Sequence, residues 1–311
     1  MKAVSVTPMV TIHHFSNPIW VEDFAHANST SSGPEDCTST DINLCGWAGP
    51  NQAAIIAALV KHTELLATEL GDVVDNWCTI SEPVNYILAG WGLAAFPPGH
   101  SYLMDGHMVD FMDVFRGFLE AHSQMYDVLK AKDTISAADD GVAANAGNTL
   151  SVAEWVPTHA NNFSSDPVDV AADNNIEYVY NHFFTQSILD GTFDASWSRN
   201  TSTFESHPEW KGKLDFVGLQ YYFRAGITGS PALLASVQGT PCMPGSWLDI
   251  GSCLPAPEDP NHWIPSMGYE YWKMVLTTSS LRTKTNTLAC QQLLLNLVFP
   301  PTTACDDLST L

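Results

Sequence analysis

The sequence predicts an α/β fold: an incomplete TIM (β/α)8 barrel of about four parallel strands with their crossover helices. Three observations predict it. Apolar strand-like runs alternate with stretches of helical period, the pattern of a parallel sheet wrapped by helices. No glycine-rich phosphate loop follows any strand, which argues against a nucleotide-binding sheet. One apolar run, Trp77-Cys78-Thr79-Ile80-Ser81, ends on Glu82 and is stopped by Pro83. Proline fixes φ and lacks a backbone donor, so it ends the strand there. A carboxylate at the C-terminal end of a barrel strand is where this architecture holds its catalytic groups.

The elements follow in order. Pro8 to Phe15 is an apolar strand ended by Ser16-Asn17-Pro18. It begins almost at the first residue, so the domain is expected to be cut at its N-terminal side. Residues 28–50 are loop in composition. Gln52 to Leu70 has helical period, with Ile55, Ile56, Leu59, Val60, Leu66 and Leu70 on one face and Gly71 as a stop. The strand of Glu82 comes next, then a loop with Phe96-Pro97-Pro98-Gly99. Phe111 to Lys130 is a second amphipathic helix. Residues 142–152 are a strand of small residues, and 170–189 a third helix closed by Gly191. Leu214 to Phe223 is a strong strand, 225–268 a long loop and 269–284 a short helix.

Composition bounds the chemistry. The chain has 311 residues with 12 Lys+Arg against 34 Asp+Glu, a net charge of −22. That argues against nucleic acid and anionic membranes as partners. No apolar run approaches the ~20 residues of a membrane span. Met1 to Pro8 is too short and too early broken by Pro8 for a signal peptide. Seven cysteines are spread without a CxxC pair. Cys37 with Cys45 and Cys242 with Cys253 could pair in loops, but buried free thiols are expected, and with them a cytoplasmic protein.

Read alone, a Glu before Pro is more often a loop or capping residue than an acid catalyst. The neighbouring strands add a family pattern. Thr79-Ile80-Ser81-Glu82-Pro83 resembles the T-[FLI]-N-E-P acid/base motif of glycoside hydrolase family 1, which holds β-glucosidases and 6-phospho-β-glucosidases. Thr11-Ile12-His13-His14-Phe15-Ser16-Asn17-Pro18 is similar to that family's third-strand segment. Asp215-Phe216-Val217-Gly218-Leu219-Gln220-Tyr221-Tyr222 resembles its sixth strand, and Met267-Gly268-Tyr269-Glu270 a later M-G-W-E segment. Order and spacing agree from residue 3 to about 284. The resemblance implies barrel strands 3 to 6 over residues 1–284 and hydrolysis of β-linked glycosides with retention, without metal or cofactor. It implies Glu82 as acid/base and His14, Ser81, Gln220 and Tyr222 as substrate-binding residues. Such chemistry uses two carboxylates ~5–5.5 Å apart, one protonating the leaving oxygen and one attacking the anomeric carbon. Trp77 is expected to be a packed aromatic.

Two positions depart from the pattern. Ser81 stands where the family has Asn, and Gln220 where it has a second Asn. Ser has one donor, against the two donors and acceptor of an amide. The family's nucleophile strand, I-T-E-[NS]-G, does not follow Tyr222, and residues 285–311 have an unusual composition. Codons offer a reason. If each true codon joins the last base of one residue's codon to the first two of the next, Gln292 through Val298 permits V-I-T-E-S-G. The Glu falls across Leu295/Asn296. Cys305/Asp306 and Asp306/Asp307 permit only Arg or stop, matching the Arg-Arg that family members carry there. Residues 285–311 are therefore expected to be a frameshifted translation of the nucleophile strand. The chain is expected to be an inactive or impaired β-glycosidase with its nucleophile absent. The alternative is a non-catalytic sugar-binding or interaction protein on the same fold.

Overall fold

A computed structural model describes residues 6–22, 44–138, 140–242, 250–254 and the backbone of 293–295; the side chains of Tyr222 and Phe223 lie outside it. The strands are β1 (Met9–His13), β2 (Asn76–Ser81), β3 (Asn145–His159), β4 (Asn162–Phe163), β5 (Thr192–Phe193), β6 (Glu205–Ser206), β7 (Phe216–Thr228), β8 (Thr240–Pro241) and β9 (Leu293–Leu295). The helices are α1 (Gln52–Leu70), α2 (Pro83–Ile87), α3 (Tyr102–Asp105), α4 (Met108–Lys132), α5 (Pro167–Glu177) and α6 (Phe183–Asp190).

The main sheet runs β1-β2-β3-β7, every neighbour parallel. Helices occupy the crossovers, as the alternation requires. A further strand, β9, pairs parallel with β7 in the register Val217↔Leu293, Gly218↔Leu294 and Leu219↔Leu295. The four expected strands and three long helices are all present. The helix expected over 269–284, the Met267–Glu270 segment and Cys37 lie outside the described residues.

Helix α4 carries the core. Phe111, Phe115, Phe118, Met125 and Leu129 recur at helical spacing and are fully buried. Burial of each phenylalanine contributes roughly 1.5–3 kcal/mol. Asp110 in the first turn and Lys130 and Lys132 in the last complement the helix dipole. Asp166 caps α5 by accepting from the Val168 amide at 2.9 Å, and Pro167 starts the helix where its missing donor costs nothing.

Three features differ from the sequence reading. First, β3 extends to His159 and β7 to Thr228, well past the expected ends. The two strands hold each other from Gly147↔Phe216 to Pro157↔Ile227. This pairing overrides the poor local strand propensity of Glu154 and Pro157. Second, the third helix is broken by a π turn over Tyr178–His182. The wide turn re-aims side chains toward β3. Tyr180 donates to Ser151 Oγ at 3.1 Å, and Asn181 donates to the Ala153 carbonyl at 2.9 Å. Third, the expectation of free thiols is corrected. Cys242 and Cys253 form a disulfide and Cys45 is also disulfide-bonded, whereas Cys78 is a buried free thiol. Both ends of the bridge are held to the sheet: the Cys242 amide donates to the Gly226 carbonyl at 2.9 Å, and Thr158 Oγ1 donates to the carbonyl of Ser252, next to Cys253, at 2.6 Å. Spacing alone could not tell this bridge from two thiols, because only the fold brings the two chain ends together.

Among the described residues, no helix is long and apolar enough to cross a membrane.

Candidate active site

Glu82 is the residue immediately after β2, and 5% exposed. Its backbone is left-handed, with φ 48° and ψ 52°. For a non-glycine residue that geometry costs about 1–3 kcal/mol and persists only where the surroundings enforce it. Here they do. The Glu82 amide donates to the Thr149 carbonyl of β3 at 2.8 Å, and its carbonyl accepts from the Tyr86 amide at 3.0 Å. Pro83 then opens α2 at once. The strand end is thus turned sharply into a helix, and the carboxylate sits at the turn. Asn85, one helical turn on, donates through Nδ2 to Glu82 Oε2 at 2.9 Å. That bond fixes the carboxylate's rotamer from below.

Ser81 is buried and shares a hydrogen bond with Thr149, Oγ to Oγ1, at 3.0 Å. Cys78 donates to the same Thr149 Oγ1 at 3.8 Å. Burial pushes the Cys78 thiol above its usual range, so it stays protonated beside the carboxylate strand end. Trp77 is fully buried with Nε1 donating to Asp133 Oδ2 at 2.7 Å, the packed aromatic expected.

The register sets the heights of the other candidates. His13 pairs with Ile80, so His14 is level with Ser81. Thr149 pairs with Ser81 on one side and Gly218 on the other. Gln220 therefore stands two residues further toward the C-terminal strand ends. His14 is exposed, its ring 4.9 Å from that of Phe15. Gln220 is half-buried, and its Oε1 is buried without a hydrogen-bond partner among the described residues. Tyr222 falls at the shift between Val152↔Tyr221 and Ala153↔Phe223, and its side chain lies outside the described residues. The fold thus brings His14, Ser81, Glu82 and Gln220 to one end of four adjacent parallel strands.

The buried histidine of the pair is His13. Its ring meets Phe118 edge-on at 5.6 Å, and Nε2 lies 3.2 Å from Asn17 Oδ1. Burial lowers its pKa to about 4, so the ring is neutral at pH 7. Asn17 also accepts from Trp47 Nε1 at 3.2 Å and donates to Tyr86 Oη at 3.0 Å, tying β1 to the helix that follows Glu82. Sequence reasoning did not single out Asn85, Thr149, His13 or Asn17. Asn85 carried a usable signal, since Pro83 as first helical residue puts it within one turn of Glu82. Asn17 was read only as part of a strand stop.

Comparison with known proteins places the chain in a family. The sequence model of glycosyl hydrolase family 1 matches residues 41–245. A β-galactosidase of Pyrococcus woesei is 27% identical over 259 residues, 76% of this chain and 45% of that protein. Beta-glucosidase 12 of Oryza sativa subsp. japonica is 26% identical over 230 residues, 70% of this chain and 39% of that protein. The chain therefore spans less than half the length of these relatives. Among solved structures, a β-glycosidase from Pyrococcus horikoshii aligns over 82% of this chain and 48% of its own, with TM-score 0.55 and 19% identity. A β-glucosidase from Thermotoga maritima in complex with deoxynojirimycin aligns over 78% and 46%, with TM-score 0.53 and 20% identity. These likenesses establish the fold as part of a TIM barrel. With the family match covering most of the described residues, the chain belongs to glycosyl hydrolase family 1.

Proposed function

We propose that this chain carries the acid/base half of a retaining β-glycosidase site, with Glu82 as the acid/base, and that the polypeptide as written is catalytically impaired. The observation that carries the reading is the strained, buried Glu82 at the end of β2, held by Thr149 and Asn85. In that mechanism Glu82 gives its proton to the glycosidic oxygen as the bond to the anomeric carbon breaks. It later takes a proton from the water that attacks the same carbon. His14, Gln220 and Tyr222 would receive sugar hydroxyls, and Ser81 would offer a single hydroxyl where an amide would offer three hydrogen-bonding positions.

The second carboxylate is the point of failure. In the shifted frame its codon spans Leu295/Asn296. Leu295 pairs with Leu219, one residue past the level shared by Gly218, Thr149 and Ser81. Glu82 is also one residue past that level. The height of β9 thus supports reading 285–311 as the displaced nucleophile strand. As written, neither Leu295 nor Asn296 is a carboxylate.

Purified chain, incubated with an aryl β-glucoside, is expected to release no aryl alcohol above the rate of the Glu82→Ala variant. Turnover that disappears in Glu82→Ala would overturn the impairment. The underlying DNA is the direct check on the tail: it must read I-T-E-S-G when shifted by one base after about residue 284.

A sugar-binding role without catalysis is favoured by one observation, the buried and unpartnered Oε1 of Gln220. An acceptor left in that state calls for a hydroxyl donor. Titration calorimetry with millimolar glucoside, in wild type and His14→Ala, separates this role from an inert fold.

The location follows the cysteines. The expectation of a cytoplasmic protein rested on free thiols. With Cys242–Cys253 bridged and Cys45 also oxidised, we favour an oxidising compartment.

A further inference from the structure

Among the described residues, two triplets have the Asn-Xaa-Ser/Thr pattern of N-linked glycan acceptors: Asn162-Phe163-Ser164 and Asn200-Thr201-Ser202. The pattern is common by chance, so the local chemistry has to choose between them. It does.

Asn162 lies in β4, paired with His159, and its Nδ2 donates to the Ala160 carbonyl at 2.8 Å. The nitrogen that would have to react is engaged, and the backbone is held in a strand. Asn200 is arranged in the opposite sense. Its Oδ1 accepts from the Ser202 amide at 3.2 Å and from Ser202 Oγ at 2.8 Å. The hydroxyl of the third residue thus sits on the amide oxygen of the first. Two donors on that oxygen draw density from the amide and make its N–H bonds more acidic. They also fix the amide plane, leaving Nδ2 without a hydrogen bond among the described residues. Residues 198–203 are all exposed, beyond the buried Trp197. An attached glycan would displace no packed side chain.

An independent observation concerns the compartment. Disulfides persist where the surroundings are oxidising, and in a secretory pathway that is also where asparagine receives a glycan.

We propose that Asn200 is an N-glycan acceptor, modified in the compartment in which Cys242–Cys253 forms. This rests on the oxidising-compartment reading and not on the glycosidase reading. In the transfer, Asn200 Nδ2 attacks the anomeric carbon of an oligosaccharide linked to a lipid diphosphate. The N–C bond forms, the bond from that carbon to the diphosphate oxygen breaks, and the lipid diphosphate leaves. Nδ2 gives up one proton, and nothing is oxidised or reduced.

The test directs the full chain through the secretory pathway of a eukaryotic cell and maps its peptides by mass spectrometry. Release of glycans by an amidase in heavy-oxygen water marks each former acceptor as labelled Asp, and non-reducing peptide maps report the Cys242–Cys253 bridge. Label at Asn200 on most molecules and little at Asn162 is expected. Ser202→Ala and Asn200→Gln should abolish the Asn200 signal, and Ser202→Thr should retain it. An unmodified Asn200 in secreted, disulfide-bonded chain overturns the proposal, as does label at Asn162 in its place. Label at Asn200 with Cys242 and Cys253 reduced would keep the acceptor and refute the compartment reading.

Discussion

The helix-facing side of β2 and the C-terminal end of the same strand are built on opposite terms. On the helix side, Thr79 Oγ1 lies 2.7 Å from His122 Nδ1 and 3.0 Å from the Gly147 carbonyl. His122 Nε2 in turn lies 2.8 Å from the Lys213 carbonyl, and both side chains are fully buried. At the strand end, three residues further on, Glu82 has a left-handed backbone, His14 is exposed, and Gln220 leaves a buried acceptor unpaired. Buried polar groups are normally satisfied, and each exception calls for an explanation such as a bound water, ion or ligand. On our proposed reading, the helix side serves stability and the strand end gives up stability for a ligand. The comparison predicts that substitutions on the two sides separate cleanly into effects on folding and effects on binding.

The largest effect is expected at Phe118. Its ring lies 4.2 Å from Trp47 and within about 6 Å of His13, Tyr86 and Trp91. Phe118→Ala should cost about 3–5 kcal/mol, the range for removing a buried aromatic. A urea midpoint shifted by much less would show that the helix side is loosely packed and would dissolve the contrast.

Acid should act on the same side. Burial lowers His13 and His122 from 6.5 to about 4. Between those values the unfolded chain binds more protons than the folded one, so stability is present above pH 6.5 and is lost as pH falls toward 4. Asp173 opposes this. Burial and the nearby Glu177 raise it to about 6, so acid protonates the folded form first and adds stability. With the offset from the partly exposed Asp173 discounted for solvent screening, the three groups predict a net loss of roughly 3 kcal/mol between pH 7 and pH 5. Urea titrations at the two pH values measure it, and equal midpoints would mean that the two histidines are not held neutral.

Much of this arrangement was legible in the residues. β1 and β2 are apolar runs with clear stops, β7 was legible as an apolar run but not in where it ends, and α1 and α4 keep helical period over many turns. β3 was legible only in part, because Glu154 and Pro157 contradict a strand locally and the pairing with β7 decides the matter. The π turn at Tyr178–His182 leaves no mark in a periodic pattern, since its residues would also suit an α-helix. The position of Glu82 at the end of β2 was legible from Pro83. The division between His13 and His14 was not. Alternation says that two adjacent histidines face opposite ways, but which face α4 covers is a tertiary fact.

The smallest effect is the sharpest test of the contrast. Gln220→Leu removes the unpartnered Oε1 and replaces it with carbon of similar reach. If the strand end were ordinary core, losing an amide would cost stability. If it is a site held open for a ligand, leucine relieves an unpaired acceptor. The midpoint should then stay level or rise by about 0.5–1 kcal/mol, as when an unsatisfied polar group becomes apolar. The same variant should weaken glucoside binding in calorimetry by about tenfold, the equivalent of one lost hydrogen bond of ~1.4 kcal/mol. A loss of stability with binding unchanged would place Gln220 with Thr79 and His122, on the structural side of the fold. Opposite movement of the two measurements is the outcome that only a binding role for Gln220 produces.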